Sequence, residues 1–290
     1  MRIQQAREVQ IWTACPQDVQ AGQWLQLNGW LDPLERLQCL RFRRDDDRRA
    51  YVLAHALRRL AVARALAVPA SCVSFSSLAS GQPVLAAPRN PGLYFSHAHS
   101  RSLVACAVTR IGPVGLDVEP LVRESADMAL LRGMVASPET GPAPSAGEAT
   151  ARFFFYWTLL EAYWKAQGSG LSFDHPALHC HSNSTGEDEG WFTVSLAPAG
   201  QLGAPGAALA AALQAPPGCA MTLVLAQAGG AAPGHIRLTY RTPVFDRDFA
   251  PREGRRRQPC PPERACAPAH AAFRRNPRQA ALPSTPFARA

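Results

Sequence analysis

The sequence predicts an α+β fold built from two similar α/β lobes with a cleft between them. In each half of the chain, a segment with helical spacing of apolar residues accompanies several short apolar strands. The hydrophobic fraction of 47% in 290 residues is sufficient for a packed core. We place an N-terminal lobe at residues 1–114, a C-terminal lobe at 115–250 and a tail at 251–290.

The N-terminal lobe is predicted to begin with a strand from Val9 to Ala14, followed by a loop to residue 30. Residues 33–68 carry a helical pattern, since Leu53, Leu57 and Leu60 recur at helical spacing before Pro69. A turn is expected at Gly81–Pro83. Three short strands are predicted between residues 72 and 110, in the segments CVSFSSL, GLYFSHA and SLVACAVTR.

The C-terminal lobe is predicted to open with a strand that resumes as VGLDVE after Gly112-Pro113. Helical spacing follows at 121–135, and the Pro-, Gly- and Ser-rich segment 137–149 is expected to be a loop. A long helix should run from about Thr150 to Gln167, where Gly168 ends it. Further strands are expected near 176–181, 190–197, 219–226 and 235–240, separated by connections rich in alanine and proline.

Composition excludes several classes of protein. No apolar run approaches the ~18 residues that span a bilayer, and the N-terminus has no signal-peptide stretch, so we expect a cytoplasmic protein without a membrane partner. The eight cysteines form no C-x-x-C pair, and without a secretion signal buried or idle thiols are expected instead of a disulfide framework.

The formal net charge of +8 lies almost entirely in the tail. Residues 251–290 carry nine Arg and two Glu, and the other 250 residues are nearly neutral. We therefore expect no nucleic-acid partner for the folded part. The tail lacks apolar periodicity and is expected to be disordered.

Only one of the 30 basic residues is a lysine, Lys165. The other basic residues are all arginine, a bias typical of a GC-rich coding sequence. Lysine that persists against such a bias suggests a role that arginine does not fulfil, with chance as the alternative.

Asp117 and Glu119 lie two residues apart in an apolar strand, so their carboxylates project from the same face. Leu116 and Val118 then face the core. Adjacent carboxylates repel one another, and a hard cation such as Mg²⁺ relieves that repulsion. The alternative is an ordinary solvated strand face.

Trp157, Glu161 and Lys165 recur every four residues and line one stripe of the long helix, whose other faces are apolar. A carboxylate base and an ammonium group beside a metal would suit phosphoryl transfer. The alternative is a surface ion pair of small energy. Ser96-His97 follows a strand-like segment; a lone histidine is usually structural, but this one directly precedes the strand that leads to Asp117.

These motifs, in this order, resemble those of the Sfp-type 4′-phosphopantetheinyl transferases. The chain has G-x-D-x-E at 115–119, W-x-x-x-E-x-x-x-K at 157–165 with glycines at 168 and 170, and a Ser-His pair at 96–97. An F…D-x-x-R segment spans Phe42 to Arg49 and continues to Arg58, and Gly81-Gln82-Pro83 matches a GKP-like turn. The resemblance covers residues 33–172 well and 173–245 weakly, and it implies a two-lobed pseudo-dimer within one chain.

The resemblance also implies roles for residues. Coenzyme A would bind in the cleft and donate phosphopantetheine to a serine of an apo-acyl or peptidyl carrier protein, with adenosine 3′,5′-bisphosphate leaving. Glu161 would act as the base and Lys165 would neutralise phosphate charge. The implied metal is Mg²⁺, with Mn²⁺ as an alternative, held by Asp117, Glu119 and Glu139. Coenzyme A would contact Arg49, Ser96, His97 and Lys165. Two lobes in one chain imply a monomer.

The sequence departs from the family pattern at several positions. Gln82 stands where lysine is common, and Glu35 and Gln38 interrupt the basic cluster before the first long helix. The tail has no counterpart. The alternative function is therefore a catalytically decayed module that binds coenzyme A or a carrier protein, and retention of Glu161 and Lys165 argues against it. A nucleic-acid binder would depend on the tail alone.

Overall fold

The computed structural model describes residues 7–90, 92–121, 146–169, 178–182, 191–195, 208–226 and 236–249. All of them belong to one compact unit, Met1–Cys260; a second unit, Pro261–Ala290, lies outside the described residues. The fold is α+β, as the sequence predicts. The expected helix at 121–135, the segment 170–177 and the tail at 251–290 also lie outside the described residues, apart from Leu121.

The described helices are α1 (Gln23–Gly29), α2 (Pro33–Cys39), α3 (Asp45–Leu66), α4 (Ala146–Gln167) and α5 (Phe245–Asp248). A reciprocal capping box between Asp32 and Glu35 begins α2. Three aspartates in the first turn of α3 complement its helix dipole, and Ala67 ends it in the left-handed conformation at φ 54°. Gly168, at φ 73°, follows α4.

The described strands are β1 (Arg7–Ala14), β2 (Ser74–Ser77), β3 (Pro83–Ala87), β4 (Tyr94–His99), β5 (Val104–Thr109), β6 (Val114–Pro120), β7 (His179–Ser182), β8 (Trp191–Ser195), β9 (Ala208–Ala212), β10 (Cys219–Ala226) and β11 (Ile236–Arg241). Sheet 1 has the order β11-β1-β5-β4 and sheet 2 the order β6-β10-β9-β8-β7. Strands β2 and β3 form a separate hairpin.

Each sheet carries one long helix on one face. Helix α3 packs on sheet 1 through a core that includes Leu53, Leu57 and Cys106. Helix α4 packs on sheet 2 through a core that includes Leu159 and Tyr163. The opposite faces of both sheets share a third core, formed by residues such as Ile11, Leu116 and Leu223.

Late strand β11 pairs in parallel with β1, so the C-terminal part of the described chain completes the N-terminal sheet. Beyond it, Phe249 is buried and packs edge-on against Trp30 at 5.0 Å between ring centroids. The boundary between lobes at 114/115 stays a prediction.

Three sequence predictions need correction. Helix α4 begins at Ala146, inside the predicted 137–149 loop, because the good helix formers Ala146, Glu148 and Ala149 outweigh the low helix propensity of Gly147. Helix α1 lies in a segment predicted as a loop. Strand β9 has the sequence ALAAA, and its buried positions in the sheet outweigh the weak strand preference of alanine.

No helix in the described ranges is long and apolar enough to cross a membrane. The six cysteines in those ranges are free thiols.

Candidate active site

Strand β6 carries the predicted metal residues on the face that meets α4. Leu116 and Val118 are buried in the core between the sheets, so the strand alternation directs Gly115, Asp117 and Glu119 to the other face. Asp117 is 5% exposed, which places a carboxylate in a nearly dry environment.

Gly115 lets α4 approach β6 without any side chain between them. A Cβ atom at this position would lie 1.7 Å from the Ala162 carbonyl oxygen and 2.7 Å from the Ala166 backbone nitrogen. Only glycine fits such a contact. This close approach holds the side chains that α4 directs towards β6 against the carboxylates of the strand.

Each residue of the stripe on α4 interacts with a carboxylate of β6. Lys165 Nζ lies 2.6 Å from Asp117 Oδ1 and also donates to the Leu116 carbonyl oxygen at 3.3 Å. Trp157 donates a hydrogen bond to Glu119. Glu161, between them on the stripe, interacts electrostatically with both Asp117 and Lys165.

The pKa values show that the site is rich in negative charge. Burial, and after it the Asp117 carboxylate, raise the pKa of Glu119 to about 7, and the smaller effect of the Trp157 hydrogen bond lowers it. Burial and Asp117 also raise the pKa of Glu161, against the opposing effect of Lys165. Burial alone would lower the pKa of Lys165, but the adjoining Asp117 carboxylate raises it.

Asp117 and Glu119 are suited to share a cation. Asp117 Oδ2 is buried and has no hydrogen-bond partner in the described part of the chain, so one acceptor oxygen is available. Among the described residues, no three His, Cys, Asp or Glu side chains lie close enough together to hold a metal alone. The third predicted ligand, Glu139, lies outside the described residues.

Ser96 and His97 lie on β4, the edge strand of sheet 1 that adjoins β6. The Ser96 hydroxyl accepts a hydrogen bond from the Leu116 N–H at 3.0 Å, so it ties the two edges together next to Asp117. His97 points to the opposite face, and its ring lies edge-on to that of His55 at 5.5 Å. Burial and the nearby Arg58 charge hold the pKa of His97 well below its usual value, so its imidazole is neutral at pH 7.

Arg49 makes no polar contact with the other predicted site residues in the described chain. It is exposed on α3, with its guanidinium carbon 5.6 Å from the centre of the Trp24 ring. Within the described chain, no hydrogen bond or ion pair joins Arg49 to Asp117, Lys165 or His97.

Sequence reasoning missed a buried network beneath His97. Glu35 Oε1 lies 2.9 Å from His55 Nδ1 and 2.5 Å from Arg58, and Glu35 Oε2 lies 3.1 Å from Arg59. Burial alone would raise the pKa of Glu35, but hydrogen bonds from His55 and the Asp32 N–H, with the Arg59 charge, lower it to about 2. The only sequence signal was the acidic residue that interrupts a basic cluster.

Gln82 contributes to the site through the backbone of α4. Its amide donates to the Lys165 carbonyl oxygen at 2.9 Å, and its carboxamide oxygen lies close to Gly168. The turn before β3 therefore holds the end of α4. This contact fixes the backbone of the residue whose ammonium group meets Asp117.

Two family comparisons match successive parts of the chain. Residues 12–110 match the family described as 4′-phosphopantetheinyl transferase, N-terminal. Residues 113–193 match the 4′-phosphopantetheinyl transferase superfamily. The two matches meet at the loop before β6, and the second includes both β6 and α4.

Curated relatives carry the same description. The chain is 30% identical over 169 residues to 4′-phosphopantetheinyl transferase HetI of Nostoc sp., covering 57% of this chain and 70% of the relative. It is 28% identical over 138 residues to a 4′-phosphopantetheinyl transferase of Bacillus subtilis, covering 48% of this chain and 60% of the relative. It is 28% identical over 143 residues to 4′-phosphopantetheinyl transferase Sfp of Bacillus subtilis strain 168, covering 49% and 62%. The chain thus spans about three fifths of the length of these two Bacillus relatives.

Proposed function

The chain belongs to the 4′-phosphopantetheinyl transferase family, and from this premise we propose that it moves the 4′-phosphopantetheine group of coenzyme A onto a serine of an apo-carrier protein. The observation that carries the proposal is the cluster of Asp117, Glu119, Glu161 and Lys165, which brings together two carboxylates suited to a cation, a base and an ammonium group. Adenosine 3′,5′-bisphosphate is the second product.

Asp117 and Glu119 would hold Mg²⁺, or Mn²⁺ in its place. Magnesium is commonly bound by one or two carboxylates together with substrate phosphates, so the two described ligands and a pyrophosphate suffice, with Glu139 as a proposed third. The bound ion would withdraw charge from the phosphate oxygens. The buried, unpartnered Asp117 Oδ2 and the raised pKa of Glu119 both support a cation at this position.

Glu161 would accept the proton of the carrier serine as its hydroxyl oxygen bonds to the β-phosphorus. The bond from that phosphorus to the bridging oxygen then breaks, and adenosine 3′,5′-bisphosphate leaves with the oxygen. A carboxylate with a raised pKa is a better base near neutral pH than an ordinary glutamate. This directed proton transfer requires Glu161 to be ionised before the serine arrives.

Lys165 would stabilise the negative charge that develops on the phosphates. Its ammonium has three donors, of which two contact Asp117 and the Leu116 carbonyl. The third remains for a phosphate oxygen, and the contact to Asp117 orients it. Such an oriented charge in a nearly dry site stabilises a transition state strongly.

Coenzyme A binding is proposed to involve Ser96, His97 and Arg49. Because His97 is neutral, it would donate a single N–H to a phosphate instead of contributing charge. Ser96 would act through its backbone and through the Leu116 contact that positions β6. Arg49, which is exposed on α3 beside the Trp24 ring, would supply a further phosphate contact.

The remaining features of the proposal concern the whole protein. The lobes 1–114 and 115–250 would act as one monomeric enzyme in the cytoplasm, with acyl or peptidyl carrier proteins as partners and neither nucleic acid nor membrane required. Gel filtration with light scattering tests the monomer. A dimer mass would contradict it.

Mass spectrometry of apo-carrier proteins incubated with the full chain, coenzyme A and Mg²⁺ tests the function. Transfer adds one phosphopantetheine, ~340 Da, to the carrier. Glu161→Gln should abolish the gain, whereas Asp18→Asn, at an exposed acid that follows β1 outside every motif, should not. Coenzyme A binding without any mass gain, on acyl and peptidyl carriers alike, would instead favour a decayed binding module.

A further inference from the structure

A cavity of about 660 Å³ lies at the edge of sheet 1 that is remote from Asp117. Strands β1 and β11, the C-terminal end of α3 and helix α5 enclose it. The side chains that matter for the argument are Gln10, Trp12, Arg64, Arg241, Arg247 and Asp248. The cavity therefore forms where the first and last described strands meet.

The walls of this cavity carry an excess of positive charge. Arg64 and Arg247 both contact Asp248 Oδ1, at 2.7 and 3.3 Å, and Asp248 Oδ2 accepts the Val244 N–H. Arg241 forms no ion pair within the described residues; its guanidinium carbon lies 5.7 Å from the centre of the Trp12 ring. Among the described residues that line the cavity, three arginines and one carboxylate give an excess of two positive charges.

The walls also offer hydrogen-bond donors in excess of acceptors. The guanidinium groups and the Gln10 amide line the cavity and supply these donors. The Trp12 indole N–H is buried beneath the wall, so Trp12 contributes ring surface to the cavity. A ligand that suits these walls has several acceptor oxygens and about two negative charges.

The strand register gives the distance of this cavity from the proposed coenzyme A site. Arg241, Trp12, Cys106 and His97 pair successively across the four strands of sheet 1. With strands about 4.8 Å apart, the Cα atoms of Arg241 and His97 are about 14 Å apart.

Helix α3 spans the same distance. His55 lies beside His97, and Arg64 lies nine residues later at the cavity. At 1.5 Å per residue this is about 14 Å along the helix axis. The cavity is thus a separate site on the same face of sheet 1.

We propose that this cavity binds a small phosphate-bearing anion, independently of the coenzyme A site. Planar guanidinium groups pair with phosphate oxygens through two parallel hydrogen bonds, and Arg241 is available for such a pair. The cavity volume falls in the range of about 300–1,000 Å³ that is usual for small-molecule sites. A pyrophosphate or phosphate ester has enough charge to neutralise the walls.

Isothermal titration of the full chain with pyrophosphate tests the proposal. Arg241→Gln should weaken pyrophosphate binding about tenfold or more, because it removes a charge-assisted, bidentate hydrogen-bonded contact. Arg237→Gln is the matched control: it removes an exposed arginine from the same strand, outside the cavity, and should change affinity less than about twofold. Lys165→Met, which alters the proposed active site, should leave this binding event in place.

Three results would overturn the proposal: no pyrophosphate binding to the wild type at millimolar concentration, unchanged affinity in Arg241→Gln, or complete loss of binding in Lys165→Met. The last would assign the anion to the coenzyme A site. If Arg241→Gln does not fold, Arg241→Lys retains the charge without the planar fork, and an intermediate loss of affinity is expected. None of these readouts depends on carrier modification, so the proposed transferase function is tested separately.

Discussion

Replacing Gly115 with alanine should damage the site far more than the added methyl group suggests. The new Cβ would lie 1.7 Å from the Ala162 carbonyl oxygen, whereas ordinary contacts are about 3.5 Å. Helix α4 must therefore withdraw by about 1.5–2 Å. The clashing atoms belong to the backbone, so a change of side-chain rotamer cannot relieve the clash. We therefore expect the free energy of unfolding to fall by at least about 3 kcal/mol, which is at the upper end of the range for overpacked cores.

The same displacement should separate the catalytic groups. The 2.6 Å contact between Lys165 and Asp117 would lengthen beyond hydrogen-bond range, and misplacement by about 1 Å is enough to cost about 100-fold in rate. Urea unfolding measures the stability, and single-turnover transfer to an apo-carrier, normalised to the folded fraction, measures the chemistry.

Gly29→Ala is the matched control, because nothing lies within 4 Å of the added Cβ and Gly29 ends an ordinary helix. It should be neutral or slightly stabilising. A second test adds Ala162→Gly to Gly115→Ala: since the obstacle is the main-chain carbonyl of Ala162, no rescue is expected. Wild-type stability and rate in Gly115→Ala, or rescue by Ala162→Gly, would refute the reasoning.

Three further predictions concern charged groups. Lys165→Arg should slow single-turnover transfer by roughly 10–1000-fold without lowering the melting temperature, since arginine keeps the charge but not the compact donor. A variant as fast as the wild type would show that lysine is not required at this position. Asp117→Ala and Glu119→Ala should each abolish Mg²⁺-dependent transfer, measured by metal titration, whereas near-normal turnover in either would remove that residue from the metal site. Glu35 has a folded-state pKa of about 2 against an ordinary 4.5, so its stabilisation, roughly 3 kcal/mol, is complete above about pH 4.5 and is lost as the pH falls towards 2. The difference in urea midpoint between wild type and Glu35→Gln should therefore stay constant from pH 6 to about pH 4.5 and shrink from there to pH 3, and a difference that is unchanged at pH 3 would contradict the assignment.

Periodicity in the sequence predicted the elements that carry the site. The alternation of Leu116 and Val118 with Asp117 and Glu119 depends only on strand geometry, so the face was predictable. The stripe from Trp157 to Lys165 likewise follows from helical spacing. The pairing of Lys165 with Asp117 was not predictable from either pattern, because it depends on how closely α4 packs on β6.

The features that the sequence did not reveal are those decided by tertiary contacts. Glu35 looks like any exposed acid near a helix start, yet Arg58 and Arg59, more than 20 residues later, enclose it. In the sequence, Gly115 was recognisable only as part of a motif. Glycine is required there because the Ala162 carbonyl of α4 leaves no space for a side chain. Strand β9 consists mainly of alanine and has no local strand signal, so only its neighbours in the sheet specify it.

The pairing of β11 with β1 has a consequence for how the chain is made. Until residues 236–249 leave the ribosome, β1 has a free edge and the position of Phe249 in the first core is empty. The first 114 residues therefore emerge early but complete their sheet among the last of the described residues, so the N-terminal half must await a strand synthesised more than 220 residues later. A chain arrested between β10 and β11 would expose an unpaired strand edge, the kind of surface on which nascent chains associate with one another.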